Sequence, residues 1–412
     1  MLKILVIGYV WPESSSSAAG SRMMQYLKLF KDQGWDATYS SPAADSEYMC
    51  DIESLGVRKV SIELNNSSFD AFINDLQPDI VIYDRFMMEE QFGWRVEKNC
   101  PNAIKLLETV DLHCLRDARH RALKQNRTVE LRDYFSDIAK REVASILRCD
   151  LSLIISTVEM DLLKEVFNLD TTLLHFIPFM FDPIDQDIIN QWPDYSDRQH
   201  FITIGNFKHA PNWDAVLYLK NTIWPQIKKS LPDVECHIYG AYPSDKVTQL
   251  DNPKEGFIIK GRAKDANNVV KEAKVVLAPL RFGAGMKGKL AEAMINGTPS
   301  VTTTIGAESM YEGYEWNGLI EDDSAKFSEA AITLYTHRDQ WLLAQDNGSS
   351  IINNLFSKQE HGDRLIERIK ILRENIEEHR LNNFTGSMLK HHSMRSTEYM
   401  SRWIEIKQKL IN

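Results

Sequence analysis

Arg281-Phe-Gly-Ala-Gly-Met-Lys-Gly-Lys-Leu-Ala-Glu292-Ala-Met-Ile-Asn-Gly-Thr-Pro299 is the stretch that decides the fold. Before it runs Lys274-Val-Val-Leu-Ala-Pro279, an apolar segment with the composition of a buried strand. After it, Lys289–Ile295 reads as a helix closed by Gly297. A strand, a glycine-rich turn and a helix start together make an anion site, because the unpaired N–H groups and the positive end of the helix dipole face the ligand. Gly283, Gly285 and Gly288 allow close backbone approach, and Lys287 and Lys289 add charge. Glu292 lies one turn into the helix, where a carboxylate takes two ribose hydroxyls. Phosphate and ribose contacts on one element imply a nucleoside diphosphate. The stretch contains no Gly-x-x-x-x-Gly-Lys-Ser/Thr. It does satisfy Gly-x-Gly-x-x-Gly, but without the ribose acid of a dinucleotide site after the next strand.

Working outward, two successive α/β patterns appear. The first has strands at 3–7, 36–40, 57–62, 79–83, 103–107, 151–155 and 173–177, with helices at 18–33, 69–76, 89–99, 129–148 and 158–167. Alternation of this kind argues for an open parallel sheet covered on both faces. A proline- and aspartate-rich break follows, and a second α/β pattern opens at His200. Its strands read at 200–205, 235–239, 256–259, 275–278 and 300–303, and its helices at 213–229, 266–273, 289–295 and 325–335. The tail reads as helices over 358–378 and 394–410, interrupted at 382–386. Tyr399, Trp403 and Ile406 share one face of the last helix and are expected to pack. The expected organisation is a first lobe over 1–182, a linker over 183–199, a donor lobe over 200–380, and a C-terminal helix over 381–412 that packs back toward the first lobe.

A chain of 412 residues exceeds one domain of roughly 100–200 residues. Forty-eight basic against 58 acidic side chains give a formal charge of −10, which argues against nucleic acid as the main partner. No window is apolar enough to span a bilayer. Met1-Leu-Lys-Ile-Leu-Val-Ile-Gly8 reads as a strand rather than a signal peptide. Five dispersed cysteines without Cys-x-x-Cys spacing fit reduced thiols in a cytoplasmic protein. The segment Arg116–Arg132 is basic for so acidic a chain. It reads either as a surface for a pyrophosphate-linked lipid or anionic membrane, or as a solvated helical face.

With these residues in place, the chain resembles a glycosyltransferase of the GT-B fold, of the type grouped as family four. The resemblance rests on Pro279 through Arg281, Gly285, Lys287 and Glu292 to Ala293, on Gly297-Thr-Pro-Ser-Val-Thr-Thr303, and on Ile305-Gly-Ala-Glu-Ser-Met310. Upstream, Ile204-Gly-Asn-Phe-Lys-His-Ala-Pro-Asn212-Trp-Asp-Ala215 resembles the loop that opens the family's second domain. Gly261-Arg262 with Asp265 resembles its base-proximal turn, and Glu108-Thr-Val-Asp111-Leu-His113-Cys-Leu-Arg116 its active-site histidine loop. The chain departs from the pattern in two places. Many members carry two glutamates eight positions apart, whereas here Ala284 precedes Glu292. Asn206 replaces an arginine, with Lys208 offset from the expected lysine. Arg281, Lys287 and Lys289 are the local substitutes for a phosphate clamp.

The resemblance implies two Rossmann-like open parallel-sheet domains facing a cleft. It implies a retaining, metal-independent hexosyltransferase with no cofactor, acting on a nucleotide-diphosphate sugar and a sugar, lipid-linked or protein-linked acceptor. The setting would be cell-surface polysaccharide or glycoconjugate assembly in the cytoplasm, with peripheral contact at the inner membrane face. His113 is the expected catalytic-side residue, oriented by Asp111. Gly205, Asn206, Lys208, Arg262, Arg281, Gly285, Met286, Lys287, Gly288 and Glu292 are the expected donor residues, with Arg262 on the nucleobase or solvated. On the acceptor side, the loop Trp11–Arg22 contributes Ser17 and Gly20, unless it is a solvated loop. Three other readings stay open: a nucleotide-sugar epimerase, a non-catalytic partner module (which Ala284 keeps open), and a dinucleotide-dependent oxidoreductase. The last lacks glycine spacing after the first strand.

Overall fold

A computed structural model describes residues 1–411, with side chains for all of these except 392–394 and 411; Asn412, the last residue of the expected C-terminal segment 381–412, lies outside the described residues. The chain forms two parallel sheets. The first comprises β1 (Lys3–Ile7), β2 (Asp36–Ser41), β3 (Arg58–Ser61), β4 (Ile80–Asp84), β5 (Ile104–Glu108), β6 (Leu151–Ile154) and β7 (Leu174–Phe176), in spatial order 3-2-1-4-5-6-7. The second comprises β8 (Gln199–Ile204), β9 (Cys236–Tyr239), β10 (Phe257–Gly261), β11 (Ala273–Ala278), β12 (Ser300–Thr302) and β13 (Gly318–Ile320), in order 10-9-8-11-12-13.

Strict alternation explains the layering. Leu5 and Ile7 point into one core of the first lobe, and Ile4 and Val6 into the core on the opposite face. Both faces of β1 are therefore buried, as parallel sheets under helices require. In each sheet the strand order reverses once, between β1 and β4 and between β8 and β11. At such a reversal adjacent loops diverge and leave a crevice beyond the strand ends. The loops after β1, β4, β8 and β11 all line one cleft between the lobes.

The chain crosses between lobes twice, side by side. Phe181 N–H donates to the Phe356 carbonyl (2.8 Å), and Lys358 N–H to the Phe181 carbonyl (2.9 Å). The return comes earlier than residue 381. Helix Lys358–Glu374 already places Leu365, Ile366, Ile369 and Leu372 in the core of the first lobe. Helix Arg338–Leu355 and strand β13 have no counterpart in the sequence reading. The helix contains Gly348, Ser349 and Ser350, poor helix formers, and tertiary contact selects the glycine: a Cβ at Gly348 would lie 2.6 Å from Asn317 Oδ1. The helix read at 129–148 breaks at Phe135, and Ser136 caps its second part. The last helix starts at Phe384 rather than Met394. The expectation that Tyr399, Trp403 and Ile406 pack is overturned, because the opposite face carries buried Ser401 against Arg95 and leaves those three exposed.

Candidate active site between the lobes

The cleft has a volume of about 660 Å³, within the range of sites that enclose small-molecule ligands. Two helix N-termini meet across it. Helix Ala18–Asp32 is capped by Ser17, whose Oγ accepts the Gly20 N–H at 3.1 Å. Helix Gly288–Ile295 starts opposite. They approach so closely that a Cβ at Gly288 would sit 2.5 Å from Ala18 Cβ. Gly20 is needed for a similar reason, since a Cβ there would meet the Glu13 backbone at 2.4 Å.

Seven Lys and Arg side chains line the cleft against four Asp and Glu, a positive excess inside a chain of charge −10. Lys289 Nζ donates to Asn212 Oδ1 at 2.8 Å. Burial drives its pKa down to about 8, although Glu292 pulls it up. Burial also lifts Glu292 to about 7, with Lys289 opposing. The Lys287 ammonium is buried, which lowers its pKa; Glu308 opposes the shift, 3.3 Å away. Arg119 grips the same Glu308 through two bonds of 2.7 and 2.8 Å.

His113 is the first residue of helix His113–Lys124 rather than a loop residue. The helix start is anchored by a buried carboxylate: Glu142 accepts the His113 and Cys114 backbone N–H groups at 2.7 and 2.8 Å. Burial lifts Glu142 to about 7. The His113 ring lies 3.8 Å from Asp111 and packs edge-on against Phe86. Burial lowers the imidazole to about 4 despite Asp111, so it is neutral at pH 7. Burial alone would raise Asp111; the Arg116 guanidinium, with His113 and His209, brings it down to about 2.

Of the sequence-selected residues, Asp111, His113, Gly205, Asn206, Lys208, Arg262, Met286, Lys287, Gly288, Glu292, Ser17 and Gly20 all line the cleft. Arg281 does not. Its guanidinium is held by both Asp214 oxygens, at 3.0 and 2.5 Å, and packs on Tyr218. Gly285 does not line the cleft either. It has a left-handed φ of 64° that favours glycine, and its N–H donates to Glu159 Oε1 at 2.9 Å instead of facing the cleft. The same oxygen accepts the Leu112 N–H at 2.8 Å, so one buried side chain ties the Gly285 loop of the second lobe to the histidine loop of the first. Burial and Asp111 raise Glu159 to about 8. Sequence reasoning missed Glu159 because nothing in the helix read at 158–167 marks it by motif or spacing. Tyr242 was missed as well: its hydroxyl reaches both Glu13 oxygens across the cleft at 2.9 Å. Arg262 stacks on Tyr48 at 4.0 Å and donates to Ser15 Oγ at 2.8 Å.

This architecture defines a class. Two doubly wound parallel lobes, an intervening cleft and C-terminal helices returning to the first lobe are the GT-B fold. Residues 198–337, within the second lobe, match the model of a family described as Glycosyl transferases group 1. No curated protein sequence matches the chain. Among solved structures, a variant of S. aureus TarM in complex with fondaparinux, alpha-GlcNAc-glycerol and UDP is 12% identical, with a TM-score of 0.67 over 89% of this chain and 99% of that one. Anabaena HepE in complex with UDP and glucose is 12% identical, with a TM-score of 0.65 over 90% and 100%. Sucrose-phosphate synthase of Thermosynechococcus elongatus is 14% identical, with a TM-score of 0.65 over 90% and 99%. These similarities concern the fold.

Proposed function

We propose that the protein is a retaining hexosyltransferase that moves a sugar from a nucleotide-diphosphate donor to a hydroxyl acceptor. The observation that carries this is the positive cleft at both sheet reversals, with the start of helix Gly288–Ile295 and Lys289 on its donor wall. In the reaction the bond between the anomeric carbon and the diphosphate oxygen breaks, and a bond to the acceptor oxygen forms. The acceptor's proton passes to the leaving phosphate on the same face. Charge grows on that phosphate, and fixed cations and N–H dipoles in a closed cleft stabilise it more than the ground state. Lys287, Lys289, the Gly288 helix start and Gly205 with Asn206 supply those groups, without a metal or cofactor. Glu292 takes the ribose, and neutral His113 hydrogen-bonds near the anomeric carbon.

The acceptor is a sugar, free or linked to lipid or protein, in polysaccharide or glycoconjugate assembly at the cytoplasmic face of a membrane. Two neighbours support the donor class: the TarM variant was solved with UDP, and HepE with UDP and glucose. The test is a screen of thermal shifts with UDP- and GDP-sugars, followed by turnover of His113→Ala. Transfer lost with donor binding kept supports the assignment, and unchanged turnover refutes it. Ala284 favours a second reading, a donor-binding module without transfer. Donor binding by the wild-type protein with no product on any acceptor would select it.

A further inference from the structure

The basic segment Arg116–Arg132 is largely neutralised within the fold. Arg116 pairs with Asp111, Arg119 with Glu308, Arg121 with Asp117, Arg127 with Asp133 and Arg132 with Glu130. A surface of opposite character lies on the last helix, Phe384–Ile411. Phe384, Met388, Tyr399, Trp403, Ile406 and Leu410 are exposed there, Trp403 by 58% and Leu410 by 81%. From Tyr399 the spacing is four, three and four residues, which places these side chains on one stripe of the helix. Trp403 is the one exposed tryptophan among the described residues.

The opposite face is fixed. Ser401 is buried beside Arg95, and Glu405 accepts the Ser67 N–H at 3.3 Å. The stripe thus faces solvent because the helix is docked by its polar side. Its charges follow the same division. Five Lys and Arg stand against two Glu between 384 and 411, giving +3 in a chain of −10. Glu405 accepts the Ser67 N–H and pairs with Lys409 at 3.1 Å, and Glu398 is paired with Arg402, so within the helix the unbalanced charge rests on Lys390, Arg395 and Lys407. Arg395, Arg402, Lys407 and Lys409 are exposed, and the Lys407 ammonium lies 5.1 Å from the Trp403 ring.

We propose that this helix face is a docking surface for an anionic lipid bilayer. The Trp, Tyr, Ile and Leu side chains enter the headgroup boundary, and the flanking cations meet lipid phosphates and carboxylates. A second copy of the chain is disfavoured by charge, since like faces would set +3 against +3. The surface deepens the membrane-facing part of the proposed function. Its test needs neither donor nor transfer, so the two stand or fall separately.

The experiment is flotation of the full chain with vesicles of phosphatidylcholine, with and without phosphatidylserine, alongside tryptophan emission. Binding is expected only with phosphatidylserine, with a blue shift of emission that Trp403→Phe removes. Lys407→Gln with Lys409→Gln lowers the partition constant about tenfold or more, while a melting temperature close to wild type shows that the fold persists. Tyr399→Ser with Ile406→Ser weakens binding similarly. Absence of binding to anionic vesicles overturns the proposal, as does binding that these variants leave unchanged. A wild-type dimer in solution that the Tyr399/Ile406 variant dissociates overturns it in favour of a second copy.

Discussion

Glu159→Ala and Glu159→Gln separate the two jobs of the carboxylate that bridges the lobes. Its Oε1 accepts Leu112 N–H from the first lobe and Gly285 N–H from the second, at 2.8 and 2.9 Å, in a fully buried site. Alanine leaves both donors without an acceptor. Each such group costs about 1–3 kcal/mol, so the expected loss is about 2–6 kcal/mol. Glutamine keeps a carbonyl oxygen for both donors, and the expected loss is within about 1 kcal/mol. The pH dependence adds a second signature. Burial first, then Asp111 and Glu308, raise Glu159 from its ordinary 4.5 to about 8, with Lys287 and the Leu112 N–H opposing. Between those values the folded protein holds a proton that the unfolded chain releases, so stability falls as pH rises, by about 1.4 kcal/mol per pH unit. Above about 8 both states are ionised and the slope ends. Urea unfolding of wild type and both variants at pH 5, 6.5 and 8 reads all of this. The wild type should lose ground to the glutamine variant as pH rises. An alanine variant as stable as wild type, or a glutamine variant as damaged as alanine, would refute the bridge.

Gly288→Ala places a methyl against Ala18 and should wedge the lobes apart, at about 1–3 kcal/mol, with a raised donor KM; Ala18→Gly in the same chain should restore it. Lys287→Ala should weaken the donor's thermal stabilisation, while Arg281→Ala, held by Asp214 away from the cleft, should leave it unchanged. His113 has a folded pKa of about 4 against an ordinary 6.5. The contribution of this group to stability therefore falls as pH drops through that interval, by about 1.4 kcal/mol per unit, opposite in sign to that of Glu159, and the wild type should lose ground to His113→Gln in urea unfolding as pH falls. Lys289 and Glu292, at about 8 and about 7, should take up protons when a diphosphate arrives, since an anion favours the protonated form of both. Calorimetry at pH 8 in two buffers of different ionisation enthalpy measures that uptake, and Lys289→Met should reduce it.

Local signals were strong where one segment carried its own reason. β11, the glycine turn and the helix from Gly288 were legible together because an apolar run, three glycines and an apolar-faced helix lie within one stretch of chain. β13 was not legible, since three residues beginning at Gly318 carry no periodicity and pair only because β12 offers an edge. Helix Arg338–Leu355 was hidden for the converse reason: Asn317 selects Gly348 through a tertiary contact that propensity cannot register. The same distinction runs through the site. Lys287, Lys289, His113 and Asp111 could be singled out by type and neighbourhood, and all four line the cleft. Glu159 could not, because its role arises only when residues 112, 159 and 285 are brought to one carboxylate oxygen.

Arg281 shows the reverse error: a cation beside the motif looked like a phosphate ligand until Asp214, 67 positions earlier, was seen to hold it. The tail gives a third case. Helical spacing located the Tyr399–Trp403–Ile406 stripe correctly, but spacing alone does not say which side of a helix docks. That was decided by Arg95 and Ser67 gripping the polar face. A buried hydrogen bond to a fixed partner outweighs an apolar stripe that has nothing to cover it. Unfavourable exposure of this size persists in a fold when another surface supplies the cover, which is why the last helix is best read as half of a contact.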